Sequence, residues 1–301
     1  MKRLPVAAFL LAALTFLLMG VCLAARGESI ALPRVVPSFN QAYTEGPGAW
    51  GDCALGTGGC PDHIRATGCL ITTFSAVLAY YDINLSVPAQ YSCTGEAEQG
   101  MNPRILNDWL RARRGYGPCS QDPSGSCCLE WEDLPHGVAL SFFSNRSSVG
   151  LNAVAALVID HALRQGNPVV AGVHWGTACR SGSSQTEDCH WIVLTGKAGD
   201  TYAIMDPYNP DTTSSAGLRT TLDNGSRGAY TIDRFVIVTR TIGDPSLANA
   251  IVVPTVATTP TTTPALQPEA PQTSPGATVA VLLAALALVA AIVFLVTGQE
   301  P

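Results

Sequence analysis

Positive charge is scarce in this chain: 17 lysines and arginines stand against 23 aspartates and glutamates among 301 residues, for a formal net charge of −6. The one basic cluster is RARR at 111–114, which reads as the solvated face of a helix rather than a nucleic-acid site. No nucleic-acid partner is implied. Also missing is the Cys-x-x-Cys spacing of a structural zinc site, and the adjacent Cys127 and Cys128 would be awkward as joint ligands. No metal is expected.

Charge is absent altogether from residues 277–297, ATVAVLLAALALVAAIVFLVT. A helix of that length crosses a hydrocarbon core of about 30 Å, so the segment reads as a membrane anchor followed by the short tail GQEP at 298–301. No Lys or Arg follows it, which leaves its orientation to the other end of the chain. There, MKRLPVAAFLLAALTFLLMGVCLAA has Lys2 and Arg3, an apolar run, and the small Ala24 and Ala25, the layout of a cleavable signal peptide at 1–25. Val21 stands where a lipoprotein signal would place a small residue ahead of Cys22. A Thr/Pro-rich linker at 246–276 cannot build a core and should form an extended stalk. What remains, 33–245, is roughly 210 residues, which suits one domain. The expected location is the cell surface, tethered by the C-terminal helix.

Without Cys22, nine cysteines remain, and in an oxidising compartment an odd number leaves one unpaired. Eight lie in Gly/Ser/Asp-rich loops. Close spacing suggests Cys53 with Cys60 and Cys179 with Cys189, leaving Cys93, Cys119, Cys127 and Cys128 to pair among themselves. Cys69 differs, because it opens an apolar segment within ATGCLITTFSAVLAYYD, where Leu70, Ile71, Phe74, Val77, Leu78 and Tyr81 fall on one helical face. Thr67 is the expected cap, and Cys69 then sits in the first turn, where the helix end favours a thiolate. A buried, inert cysteine is common as well. On the count alone both readings stay open.

A thiolate nucleophile needs a base, and the base needs a group to orient it. His63 and His136 lie in loops, and His161 lies in the helix-like NAVAALVIDHALRQG. His174 ends the strand-like PVVAGVHWG and is the rival base. His190 opens HWIVLTGKAGDTYAIMDPY, which reads as two strands joined by a turn at KAGD. Antiparallel pairing of those strands would bring His190 to Asp206 at the far end. Aspartate before proline is otherwise an ordinary turn residue. For an oxyanion, Gln41 is the only glutamine ahead of Cys69, and the Cys69 backbone amide would be the second donor.

With Gln41, the Gly68-Cys69 helix, HWIVLTG and MDPYNP together, residues 35–240 resemble papain-fold cysteine peptidases, most closely family thirty-nine, the double-glycine peptidases that remove bacteriocin leaders, and its exported relatives. ILNDWLRARRGYG and LRQGNPVVAGVHW are similar to segments of that family too. Three features depart from the pattern: Leu70-Ile71 replaces a frequent glycine-proline, a cysteine-bearing insertion separates Gln41 from Cys69, and Cys189 directly precedes His190. The stretch 117–136 has no clear counterpart in the family, so specificity cannot be carried over.

The resemblance implies an α+β, papain-like fold, with an N-terminal helix carrying the nucleophile and a C-terminal antiparallel sheet. The expected catalytic residues are Cys69, His190, Asp206 and Gln41, acting on a peptide or protein substrate without a cofactor. Two alternatives share the scaffold: another acyl transfer, as in a cell-wall amidase or transpeptidase, and an inactive surface module with Cys69 in a disulfide. Asn84, Asn145 and Asn224 begin N-x-S sequons.

Overall fold

The computed structural model describes residues 29–119, 126–145, 150–176 and 189–241. All of these lie in one of two compact units, Met1–Val253, while the second unit, Pro254–Pro301, lies outside the described residues. The expected signal peptide, stalk and membrane helix fall outside them too. Among the described residues, no helix is long and apolar enough to cross a membrane.

A short strand, β1 (Ile30–Ala31), precedes two consecutive helices, α1 (Ile64–Thr67) and α2 (Cys69–Tyr80). A hairpin of β2 (Leu85–Val87) and β3 (Glu98–Gly100) leads to α3 (Pro103–Arg113), and β4 (Tyr116–Gly117) pairs with β5 (Cys128–Leu129). Then come β6 (Val138–Ser144), α4 (Ala153–Arg164), β7 (Val169–His174), β8 (Cys189–Ala198), β9 (Thr201–Asp206), β10 (Leu218–Thr221) and β11 (Thr231–Arg240). These last strands form one antiparallel sheet in the order β10-β9-β8-β7-β11-β6, with β1 also paired to β8.

Both faces of the sheet are covered, which is why VVAGV and WIVL run almost without polar residues. On one face Val170, Val193, Met205 and Val236 join α2 in the larger core. On the other, Val169, Ala171, Ile192, Leu194 and Ile204 pack with Ile159 and Leu163 of α4. Helix α2 is buried all round from Ile71 to Leu78, not along one stripe, because it runs through the middle of the fold. Two of its polar members bond within the helix: Thr73 donates to the Leu70 carbonyl at 2.8 Å, and Ser75 donates to that of Ile71, whereas the buried Thr72 hydroxyl has no partner among the described residues.

Asn102 caps α3 by accepting from the Ile105 N–H at 2.9 Å, with Pro103 in the first turn. RARR forms the end of this helix, with Arg113 and Arg114 exposed. Asn152 caps α4 in the same manner, and His161 is exposed on that helix. Asn145 is buried, and its amide donates to the Ile232 carbonyl at 2.7 Å, which removes it as a glycosylation acceptor.

The disulfides correct the expectation from spacing. Cys53 bonds Cys93, Cys60 bonds Cys127, and Cys119 bonds Cys128. Thr57 and Ser126 exchange backbone hydrogen bonds at 2.9 and 3.3 Å, and this loop-to-loop bridge sets Cys60 against Cys127. Asp108 accepts the Cys93 N–H at 2.7 Å and holds that loop near α3, within reach of Cys53. Cys189 is disulfide-bonded, whereas its expected partner Cys179 lies outside the described residues.

Candidate active site

Cys69 is the first residue of α2, and its thiol is free and half-buried. The helix in front of it changes the expected cap. Thr67 ends α1 instead of capping α2, and its hydroxyl donates to Asp62 at 3.1 Å. The bend between the helices is Gly68, whose N–H reaches the Ile64 carbonyl at 2.8 Å. A Cβ at Gly68 would lie 2.4 Å from that same oxygen, so only glycine lets α1 fold back closely enough to deliver Cys69 at the head of α2.

Strand pairing places Val193 opposite Met205, so His190 and Asp206 stand near each other at one end of β8 and β9. Their spacing from Ile192, Leu194 and Ile204 gives both the same side of the sheet. His190 Nε2 lies 2.8 Å from Asp206 Oδ1. That leaves the other ring nitrogen for Cys69, which lines the same cleft. Burial works against a charged imidazole here, yet the hydrogen bonds and charges of Asp206 and Cys69 outweigh it and raise His190 to about 9.

Asp206 is completely buried and accepts four hydrogen bonds. Oδ1 takes the His190 ring and the Tyr208 N–H at 3.0 Å, while Oδ2 takes the Ser226 N–H at 2.9 Å and the Tyr230 hydroxyl at 2.8 Å. Burial would push this carboxyl up, but its bond and attraction to His190, with the Ser226 and Tyr208 amides, hold it at about 2. Every lone pair is used, so the carboxylate keeps its charge and the imidazole its orientation.

Gln41 is drawn to the same place by its neighbour. Asn40, fully buried, donates to the carbonyls of Asp211 and Ser214 and accepts the N–H groups of Ala42 and Asn209. The Gln41 N–H donates to the Pro207 carbonyl at 2.7 Å, directly after Asp206. The Gln41 side-chain amide gives one hydrogen to the Arg65 carbonyl at 3.1 Å, which leaves its second for another acceptor. Behind this loop Arg104 donates to the Gly48 and Ala49 carbonyls and pairs with Glu98.

Gln41, Cys69 and His190 line one cleft of about 1030 Å³, walled by Trp131, Trp175 and Trp191. The rival base His174 does not line it. Its Nδ1 is held by the Asp233 carboxylate at 2.9 Å, and His174 pairs across strands with Cys189 rather than with His190. The metal-ligand type side chains gathered nearest the cleft, Cys60, Asp62 and Cys127, have no thiolates to offer, because the two sulfurs are bonded to each other.

A cysteine-headed helix set against an antiparallel sheet makes this a papain-like α+β fold. Residues 35–231 match the family model described as Peptidase_C39 like family, and the chain belongs to that family. A crystal structure described as that of a C39-like peptidase from Bacillus anthracis is similar to this chain at 14% identity and a TM-score of 0.35, covering 71% of this chain and 99% of that one. No curated protein matches the chain.

Asn40, Tyr230 and Ser226 were not legible as site residues in the sequence. Ser226 and Tyr230 reach Asp206 from 20 and 24 residues further on, and nothing local in the sequence signals that distance. Asn40 carried the one available hint, a polar side chain immediately before Gln41.

Proposed function

We propose that this chain is an exported cysteine peptidase that hydrolyses peptide or amide bonds through a thioester. One observation carries the reading: a single imidazole is held by a buried, fully satisfied carboxylate and lines one cleft with the free thiol at the head of α2. Membership of a C39-like peptidase family supports it.

Cys69 and His190 act as a thiolate and imidazolium pair. The Cys69 sulfur attacks the scissile carbonyl carbon, and the carbonyl oxygen becomes an oxyanion held by the Cys69 N–H and the second amide hydrogen of Gln41. His190 gives its proton to the departing amine, leaving a thioester. Neutral His190 then takes a proton from water, the hydroxide attacks the thioester, and the acid product leaves as the ion pair reforms. Asp206 stays ionised throughout and fixes the ring.

The disulfides suggest an extracellular location. Export by the 1–25 signal and retention by the charge-free run at 277–297 complete the proposal, with a peptide or protein as partner. The free thiol of Cys69 argues against an inactive module in which that cysteine is bridged.

Product analysis on peptide and muropeptide libraries tests the reaction class. New amino and carboxyl termini that vanish with Cys69→Ala are expected. Joined products would favour transpeptidation, and a folded protein that alkylates at Cys69 but turns over neither library would overturn the proposal.

A further inference from the structure

Strand β11 carries one inserted residue where it pairs with β7. Ile232 lies opposite Val173 and Arg234 lies opposite Gly172, so Asp233 is the extra residue. A bulge of this kind re-aims the side chains beyond it. Here it puts Arg234 in a row with Gly172 and Trp191, which are paired across β7 and β8. A Cβ on Gly172 would come within 3.0 Å of Arg234 Cγ and Nε, so the glycine supplies the space in which the arginine stem lies. The guanidinium carbon stands 4.8 Å from the centre of the Trp191 ring.

Arg234 is thus a half-buried cation stacked on a tryptophan and lining the same cleft as Cys69; burial disfavours its charge, and the neighbouring Asp233 carboxylate, itself held by His174, supports it. Among the described residues no hydrogen bond or ion pair occupies its N–H groups. A stacked guanidinium keeps its edge free, and that edge matches the two oxygens of a carboxylate. Arg227, also without an ion pair among the described residues, stands 4.4 Å over the Tyr208 ring in the same cleft. Arg65 is already paired with Asp52 at 2.8 Å, and among the described residues the one carboxylate lining the cleft, Asp62, accepts from Thr67. In a chain with a net charge of −6, long-range attraction cannot select an acidic substrate, so any such preference has to be local.

We propose that Arg234, assisted by Arg227, forms a carboxylate-binding subsite beside Cys69, so that the preferred substrate carries a carboxylate close to the bond attacked. The substrate half of this inference rests on the peptidase reading, whereas the anion site itself does not.

The two are separated by alkylating Cys69 with iodoacetate and with iodoacetamide, which differ by a carboxylate against an amide. The iodoacetate-to-iodoacetamide rate ratio should fall about tenfold in Arg234→Gln, less in Arg227→Gln, and recover partly in Arg234→Lys. An unchanged ratio overturns the subsite whatever the protein hydrolyses. A fall in both rates together also overturns it, since Arg234 would then serve Cys69 and not the ligand. If Arg234→Gln does not fold, an unaltered ratio in folded Arg234→Lys and Arg227→Gln overturns the proposal equally. Paired peptides then identify the source of the carboxylate: Asp or Glu against Asn or Gln beside the scissile bond, and a free C-terminus against an amide. A preference lost in Arg234→Gln in either series supports the subsite and says which carboxylate it takes. A wild-type protein that shows the alkylation ratio but cleaves no peptide sinks the peptidase reading and leaves the anion site standing.

Discussion

Asp206 holds His190 at 2.8 Å across neighbouring antiparallel strands, and the aspartate is itself immobilised by Tyr208, Ser226 and Tyr230. Orientation of the base therefore depends on a buried carboxylate that has no freedom to turn away. Cys69→Ala and His190→Ala should each abolish turnover in a folded protein. Asp206→Ala should leave partial activity, because an orienting group assists the base without taking part in bond making. Steady-state kinetics on the three variants, with circular dichroism to check folding, decides this.

The same pair sets a pH dependence. His190 is raised to about 9, so its proton is present at neutral pH and is lost as pH climbs through that value. Activity should fall on the alkaline side with an apparent midpoint near 9 belonging to the coupled pair. The stability that His190 contributes should be full below its ordinary value of 6.5 and disappear over the same alkaline range. Asp206 has the opposite sign: held at about 2, it stabilises the fold above its ordinary 3.8 and loses that contribution as pH falls towards 2. Urea melts across pH, compared with Asp206→Ala, measure both limbs.

Tyr230→Phe removes one of the four donors to Asp206 while keeping the ring. The loss should cost about 1–2 kcal/mol of stability, since a buried acceptor oxygen is left with one donor fewer. Its kinetic effect should be milder than that of Asp206→Ala. A variant as impaired as Asp206→Ala would mean that Tyr230 does more than hold the carboxylate.

Gln41→Ala should lower kcat by roughly a hundredfold or more with little change in KM, as the loss of one oxyanion donor does. Asn40→Ala should lower both stability and kcat, because Asn40 ties the Gln41 segment to the loop after Asp206 through four hydrogen bonds. Equal kcat in Gln41→Ala and the parent would remove Gln41 from the mechanism.

Mass mapping of the non-reduced protein should find Cys53 with Cys93, Cys60 with Cys127, and Cys119 with Cys128. Cys60→Ser with Cys127→Ser should destabilise by about 2–4 kcal/mol, because that bridge closes a loop of 67 residues.

Local structure was readable from the sequence, and long-range closure was not. The apolar run after Cys69, the KAGD turn and the unbroken hydrophobic strands report their own secondary structure, and the hairpin alone brings His190 to Asp206. The Thr67 cap failed because Gly68 serves as a bend between two helices, which depends on how closely Ile64 approaches. The Cys53–Cys60 expectation failed because nearness in sequence says nothing of the Thr57–Ser126 bridge that carries Cys60 to Cys127. Arg234 was invisible for a similar reason: a bulge one residue before it decides which way its side chain faces.

The central claim is that Cys69, His190 and Asp206 act as one unit, and the most direct test is the pH dependence of Cys69 alkylation by iodoacetamide in the parent and in His190→Ala. The account predicts rapid alkylation that persists into mild acid in the parent, and a slow reaction in His190→Ala that rises only towards the range of an ordinary thiol, about 8.5. Identical profiles in the two proteins, both rising only in that alkaline range, would contradict it.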